Sequence, residues 1–347
     1  MYIYTMEKNI KVIVILLLIN NFLSCINKSE NTTINTNEKP LLHNDLIKNL
    51  SQKIALDSNS ATLYYARAQA YLKDTLIKPA VADLRQAIAL DSMNTAYRLQ
   101  LSDVYFNTGE IIFAIEEGKI AHRINKNDIN TKNKLAKYYM LTKGYDNALL
   151  LCNESHMLDP TNADAYFIEA MVYADKNEDK KCIDVLLKCT AQDPTYSEAY
   201  MKIATIYNRK KDVQAIKYYD YVLKIDSNNL LAMYGKAMYY QNNNRIKQAI
   251  EIYNNMILKD KNYTDAYYNL GYIYFDTDSI AKAQRHFEMA TKTNPTHAPS
   301  YYMIGVCFEA LKRYVEALVA YKQSLVFDDK NTLTKTAIGR MESAVTQ

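Results

Sequence analysis

Apolar side chains recur along most of the chain at intervals of three and four residues, the spacing that places them on one side of an α-helix. The segment Asp265–Phe275, DAYYNLGYIYF, shows this pattern, and so does Ser300–Phe308, SYYMIGVCF. Each segment carries a glycine in its middle, and these glycines, Gly271 and Gly305, lie 34 residues apart. Because an interior glycine lowers helix stability by about 1 kcal/mol relative to alanine, its recurrence indicates a packing requirement.

The interval of 34 residues is a repeat of the whole sequence pattern. Eight units can be aligned, and only the fifth is shorter than the others, by one residue in its internal turn. Residues at the eighth and twentieth positions of the units are small, and those at the eleventh position are aromatic. The units are residues 61–94, 95–128, 129–162, 163–196, 197–229, 230–263, 264–297 and 298–331.

Each unit is predicted to form a helix, a tight turn and a second, antiparallel helix, because turn-forming residues interrupt it in the middle and at its end. Residues 159–161, Asp-Pro-Thr, form one such end, since proline cannot continue a helix. The small residues let the two helix axes approach to about 8 Å, and the eleventh-position tyrosines are expected to fill the space toward the neighbouring unit. The predicted packing residues include Ala68, Ala136, Ala148, Ala204, Ala249, Gly271, Ala283, Gly305 and Ala317.

These columns of small and aromatic residues resemble the tetratricopeptide repeat family over residues 61–331. The resemblance implies an all-α, right-handed superhelical solenoid whose concave groove binds a protein or peptide. Arg98 and Lys132 depart from the aromatic that the family has at the fourth position, and Gly118 departs from its bulky residue at the twenty-fourth. The second and third units are therefore predicted to be the loosest. Charged residues also replace the family's leucine at the seventh position, namely Arg67, Glu169 and Lys236.

Helical patterns flank the repeats at both ends. Residues 41–60 are predicted to form an N-terminal capping helix and turn, and residues 332–347 a C-terminal capping helix. Terminal helices with a polar outer face keep stacked repeats soluble. We expect no separate catalytic domain in addition to these segments.

The first 25 residues have the layout of a secretory signal peptide, and Met6 is an alternative start. Lys8 and Lys11 precede an apolar run from Val12 that is too short to span a bilayer. The end of the segment, at Cys25, resembles the lipobox of bacterial lipoproteins, in which the cysteine is acylated and becomes the new N-terminus. An uncleaved signal anchor and ordinary secretory cleavage are the alternatives.

The lipobox resemblance implies attachment of the chain to a membrane of the bacterial cell envelope through a lipid on Cys25. The outer membrane is the expected location, with the repeats in the periplasm or at the cell surface. Residues 26–40 are polar and rich in Asn and Thr, and they are predicted to form a flexible tether.

Charge and motif content argue against nucleic-acid binding and against catalysis. The formal net charge of +4 is weak for a chain of this length. The sequence contains no glycine-rich phosphate loop and no G-x-S-x-G elbow, so a non-enzymatic protein without a cofactor is predicted. No metal site is predicted either, because His122 and His156, which share the twenty-eighth position of adjacent units, are expected about 10 Å apart. Cys182 and Cys189 are predicted to act as compact hydrophobic residues, and a disulfide to Cys152 is not favoured.

A further set of side chains occupies the fifth and ninth positions, which line the concave groove in the family that the sequence resembles. Flexible methionine and amphipathic tyrosine suit adaptable protein contacts, whereas the alternative is that these residues are half-buried neighbours of the core. A membrane-anchored scaffold that holds a protein or peptide ligand is therefore predicted, with homo-oligomer formation left open. The groove candidates are Tyr65, Gln69, Leu99, Asp103, Asn133, Lys137, Phe167, Met171, Met201, Tyr234, Met238, Tyr268, Tyr272 and Tyr302.

A glycan is the alternative ligand, because paired exposed rings flanked by carboxylates can stack on sugars. Tyr268 and Tyr272, with Asp265 and Asp276, come closest to that arrangement. Some members of the tetratricopeptide repeat family bind a C-terminal carboxylate through Lys, Asn and Arg side chains. Asn133 and Lys137 alone do not form such a site.

Overall fold

The computed structural model describes residues 39–346, and all regular secondary structure in that part of the chain is α-helical. Cys25, the predicted signal peptide and most of the predicted tether lie outside the described residues. The first helix begins at Lys39, slightly before the predicted start of the capping helix. The helices are α1 (Lys39–Leu56), α2 (Ala61–Lys73), α3 (Ile77–Leu90), α4 (Thr95–Asn107), α5 (Ile111–Ile124), α6 (Ile129–Leu141), α7 (Tyr145–Leu158), α8 (Ala163–Asp175), α9 (Asp179–Gln192), α10 (Ser197–Arg209), α11 (Gln214–Ile225), α12 (Leu230–Asn242), α13 (Ile246–Lys259), α14 (Thr264–Asp276), α15 (Ile280–Thr293), α16 (Ala298–Ala310), α17 (Tyr314–Phe327) and α18 (Thr332–Val345).

The described part of the chain divides into two compact units, one that ends at Val104 and one that begins at Tyr105. In the first unit, α2 packs against both α1 and α3. In the second unit, each helix from α5 to α17 packs against the next one along the chain. None of the helices in the described part combines the length and the hydrophobicity needed to cross a bilayer.

The helices form pairs that follow the repeat in the sequence. The even-numbered helices from α2 to α16 each begin at the first residue of a sequence unit, and the helix that follows completes the pair. The all-α repeat fold predicted from the sequence is therefore confirmed.

All eight internal turns share one backbone geometry. The fifteenth residue of each unit has a positive φ, between 56° and 83°. The amide of the sixteenth residue donates to the carbonyl of the eleventh at 2.7–2.9 Å, which is the long-range bond of the Schellman motif. This geometry favours glycine, yet only the second unit has one. The residues with positive φ are Thr75, Gly109, Lys143, Asn177, Lys211, Asn244, Asp278 and Lys312.

The two interior glycines make room for aromatic rings from the second helix of their own units. A Cβ atom on Gly271 would lie 2.7 Å from Cε1 of Phe287, and one on Gly305 would lie 2.6 Å from Cδ1 of Tyr321. Both rings are fully buried. A methyl group therefore cannot be added at either glycine unless a buried ring moves.

Four of the charged residues that depart from the family pattern have partners on neighbouring second helices. Arg67 donates from Nε and Nη2 to the two carboxylate oxygens of Asp83, at 2.7 and 2.8 Å. Lys132, with only 4% of its side chain exposed, pairs with Glu154, so an ion pair occupies the place of the usual aromatic. The other seventh-position charges are paired in the same way, Glu169 with His156 and Lys236 with Asp220.

The tyrosines at the eleventh position also cover the second helix of their own unit, a contact that the sequence did not predict. The Tyr207 ring stacks on Tyr218 with centroids 5.5 Å apart, and the Tyr274 ring stacks on His286 at 5.2 Å. The Lys282 ammonium lies 5.5 Å from the centre of the Tyr274 ring. The Tyr274 ring is therefore half-buried between a helix surface and a cation.

We predict opposite effects for the same substitution at two helical glycines. Gly271→Ala should lower the free energy of unfolding by about 1–3 kcal/mol, because the new methyl group overlaps the buried Phe287 ring. Gly339→Ala should raise it by about 1 kcal/mol, since nothing lies within 4 Å of the added Cβ and alanine favours the helix. Urea denaturation of the two variants measures both effects. A Gly271→Ala variant as stable as the parent would show that the predicted overlap is absent.

Candidate functional site

The candidate site is the side of the first helices that carries the fifth and ninth positions, here called the first-helix face. In the first compact unit, Gln69 is exposed, whereas Tyr65, Leu99 and Asp103 are half-buried. The Tyr65 ring lies 4.7 Å from the buried ring of Tyr97.

In the second compact unit, the first-helix face is partly open to solvent. Phe167 is buried, with 6% of its surface exposed, and Tyr272 is the most exposed of the predicted aromatics, at 41%. The other predicted groove residues keep part of their surface accessible, which a ligand-binding surface requires. They are Asn133, Lys137, Met171, Met201, Tyr234, Met238, Tyr268 and Tyr302.

Asn133 and Lys137 take part in contacts within the fold. Asn133 donates from Nδ2 to Oδ1 of Asn162 at 2.9 Å and accepts from Ser155 Oγ at 3.0 Å. The Lys137 ammonium lies 4.7 Å from the centre of the Phe106 ring. The structure therefore gives each of these two side chains a partner inside the protein.

A regular contact on this face joins the fifth position to the thirty-fourth, the last residue of the same unit. It is polar in the third unit and aromatic in three later units. The ring centroids lie 5.0–6.2 Å apart in the aromatic pairs. The pairs are Asn133 with Asn162, Phe167 with Tyr196, Tyr234 with Tyr263, and Tyr268 with His297.

The last residue of a unit, the thirty-fourth in all but the shorter fifth unit, also stands at the N-cap of the next first helix. At four of these caps, an Asn or Asp oxygen accepts a hydrogen bond at 2.8–3.2 Å from the backbone amide three residues further on. Tyr196, Tyr263 and His297 make no such cap bond. The four capping residues are Asp128, Asn162, Asn229 and Asn331.

The three aromatic residues at capping positions were not among the residues predicted from the sequence. Replacing a good N-cap residue by one that cannot cap costs about 0.5–2 kcal/mol of stability. This stabilisation is absent at Tyr196, Tyr263 and His297. Each of these side chains instead contacts a ring on the first-helix face. The signal in the sequence is the replacement of Asn or Asp by Tyr or His at the thirty-fourth position.

Two of these residues belong to one group of side chains, here called the aromatic–acid cluster, which comprises Tyr234, Tyr263, Asp265, Tyr268 and His297. The rings of Tyr234 and Tyr263 are 6.2 Å apart, and those of Tyr268 and His297 are 5.3 Å apart. Burial and the nearby Asp265 carboxylate raise the pKa of Tyr234 to about 12 and also raise the pKa of Tyr263. Both phenols are therefore neutral at physiological pH.

Asp265 is the acidic member of the cluster. Its residue surface is exposed, but the surrounding side chains remove enough solvent to raise the pKa of its carboxyl group, while His297 opposes that shift. Burial lowers the pKa of His297, and Asp265 acts in the opposite direction. Within the described part of the chain, no lysine or arginine forms an ion pair with Asp265.

The histidines and cysteines offer packing rather than reactive groups. The His156 ring stacks on Tyr166 at 3.9 Å, and its Nε2 lies 3.2 Å from Glu169. No group of three or more His, Cys, Asp or Glu side chains is placed to hold a metal ion in the part of the chain that the structure describes. Burial raises the pKa of each described thiol, to about 11 or 12, and none is in a disulfide. These are Cys152, Cys182, Cys189 and Cys307.

Two family models match parts of the chain. Residues 61–92 match a tetratricopeptide repeat model, and residues 242–324 match the model of anaphase-promoting complex, cyclosome, subunit 3. No curated protein sequence matches the chain. The chain therefore contains tetratricopeptide repeats.

Solved structures with a similar fold include two bacterial repeat proteins. A tetratricopeptide repeat protein from Parabacteroides merdae has 17% identity and a TM-score of 0.50, and the match covers 72% of this chain and 98% of that chain. The C-terminal part of a repeat-containing protein from Cytophaga hutchinsonii has 16% identity and a TM-score of 0.51, with 65% and 93% covered. The MamA protein has 23% identity and a TM-score of 0.42, with 48% and 92% covered. At these identities the first two matches show the fold alone.

We predict that exchanging residues between two capping positions shifts stability in opposite directions. His297→Asn should raise the free energy of unfolding by about 0.5–1 kcal/mol, because asparagine caps the corresponding helices. Asn229→His should lower it by about 1 kcal/mol, since it removes the bond to the Ala232 amide. Thermal and urea unfolding measure both changes. A destabilised His297→Asn variant would contradict the interpretation that His297 lowers stability because it does not cap its helix.

Proposed function

We propose that this protein is a non-enzymatic adaptor that binds an extended peptide or a helix of a partner protein on its first-helix face. The observation that carries the proposal is the placement of Tyr196, Tyr263 and His297. Each occupies an N-cap position without capping, and each lies against an aromatic ring on that face. Residues chosen for folding alone would be expected to cap the helices.

The chemistry of the first-helix face suits a peptide ligand. Met171, Met201 and Met238 are half-buried, and the flexible thioether side chain can adapt to different partner surfaces. Neighbouring tyrosines offer large contact area with few rotatable bonds and a polar end. Helical grooves of this composition are a recurrent surface for peptides and amphipathic helices.

The proposal also includes a lipid anchor at Cys25. An apolar run from Val12 to Ile19 lies between two lysines and this cysteine, and a polar segment follows the cysteine. Acyl chains on Cys25 contribute about 0.8 kcal/mol per buried CH₂ group, so several chains hold a protein on a membrane durably. We infer that the repeats are held near a membrane of the bacterial envelope, where they recruit their partner.

The binding function is testable by selecting from a random peptide display library against the full chain in detergent. The test variant carries Tyr196→Asn, Tyr263→Asn and His297→Asn, which removes three rings while supplying capping residues. We expect selected peptides to bind this variant about tenfold more weakly than the parent.

The matched control replaces Met157 and Leu258 by asparagine, because both are large, apolar and exposed on second helices. It should retain the parent affinity. Circular dichroism establishes that both variants are folded. Recovery of no peptide that distinguishes the two variants would overturn the proposed binding face.

The anchor is testable by metabolic labelling with an alkyne fatty acid in a Gram-negative host. The parent chain should carry the label and sediment with membranes, whereas Cys25→Ala should lose the label and appear in the soluble fraction. An unlabelled parent chain would refute lipidation, and equal labelling of both chains would place the lipid on another residue.

A further inference from the structure

We infer that the aromatic–acid cluster of Tyr234, Tyr263, Asp265, Tyr268 and His297 binds a cationic side chain, lysine or arginine, of the peptide ligand. This inference rests on the proposed function, because it assigns one chemical feature of the ligand to one place on the first-helix face.

The carboxylate of Asp265 has no cationic partner within the described part of the chain. The residue is exposed, so a ligand can reach it. The groups that face it are the phenols of Tyr234, Tyr253 and Tyr263 and the imidazole of His297. Burial raises the pKa values of the phenols and lowers the pKa of the imidazole, so it favours the uncharged form of each group. A partly desolvated carboxylate interacts with an added cation more strongly than one in bulk water.

The rings of Tyr234 and Tyr263 are also without an internal cation. A lysine or arginine lies 4.6–6.0 Å from the ring centre at several eleventh-position aromatics, as Lys282 does at Tyr274 and Arg313 at Phe308. No lysine or arginine of the described residues lies over Tyr234 or Tyr263. A cation beside Asp265 could therefore use ring faces that the protein itself leaves open.

The fourth unit provides a corresponding site that is already occupied. Asp164 has the same place in its repeat as Asp265, the second residue of a first helix. The hydroxyl of Tyr196 donates to Asp164 Oδ1 at 3.0 Å. His297 takes the place of Tyr196 in the seventh unit, and its Nδ1 lies 2.7 Å from Ser300 Oγ. This exchange leaves Asp265 without the phenolic hydrogen bond that Asp164 accepts.

Arrangements of tyrosine faces around a carboxylate favour ammonium and guanidinium groups over other ligand groups. The carboxylate supplies the opposite charge, the rings supply cation–π attraction, and the neutral phenols add hydrogen-bonding groups. An acidic or C-terminal carboxylate group of a peptide would instead be repelled by Asp265. The cluster therefore selects for a basic residue at one position of the bound segment.

The test uses peptides selected by display against the full chain and compares the parent, Asp265→Asn and Asp164→Asn. We expect the selected peptides to share a lysine or arginine at one position. Replacing that residue by norleucine should weaken binding to the parent and to Asp164→Asn by about tenfold, as measured by fluorescence anisotropy. The same replacement should change binding to Asp265→Asn by less than about twofold.

The outcomes separate this inference from the proposed function. Peptides that bind the first-helix face without a shared basic residue, or whose norleucine forms lose equal affinity for Asp265→Asn, would overturn the inference and leave the adaptor function standing. Absence of any peptide specific for that face would overturn both. Asparagine is nearly isosteric with aspartate, and the matched Asp164→Asn variant reveals any general effect of the substitution on folding.

Discussion

Close contact between the two helices of a repeat is the constraint on which each compact unit of this structure depends. The side chains at the eighth and twentieth positions are alanine, serine, cysteine or glycine, and all are buried. Helix axes separated by the lower packing distance leave no space for a larger side chain between them. Phe287 and Tyr321, both on second helices, lie over the eighth position of the last two units, and the residue beneath each ring is glycine.

This close contact also imposes the shape of the internal turn. A second helix can return along the first only if the chain reverses within a few residues, and all eight turns do so through a left-handed residue and a Schellman bond. Thr75 and Lys143 occupy that conformation although their side chains disfavour it. Tertiary packing therefore overrides local preference at these positions.

The sequence was sufficient to predict the helices, because the repeat aligns each packing column eight times. The contacts of the charged residues could not be predicted in the same way. Arg67 and Lys236 appear as isolated departures from the pattern, but each pairs with an aspartate on a neighbouring second helix. A one-dimensional pattern gives no distance between two helices, so it cannot show that such departures are paired.

Only part of the candidate site could be predicted, because the sequence pattern does not show which positions of a repeat lie side by side. The fifth and ninth positions lie on a recognisable stripe of the first helix, whereas Tyr263 and His297 lie in segments that the sequence marks only as turns. Their contribution became visible when the structure brought the thirty-fourth position beside the fifth. The capping role of that position in other units then showed what these residues replace.

The separation of packing positions from the first-helix face explains how one backbone can carry different binding chemistry along its length. Asn133 with Asn162 and Tyr268 with His297 occupy corresponding places, one pair polar and the other aromatic, between helices of the same design. Such an exchange alters positions outside the small-residue columns, and it removes the cap hydrogen bond that Asn162 accepts from the Ala165 amide. A loss of about 1 kcal/mol at a cap is small beside the 2–5 kcal/mol that follows truncation of a large core residue. The last turn of each repeat is therefore where this fold can change the chemistry of the first-helix face with the least loss of stability.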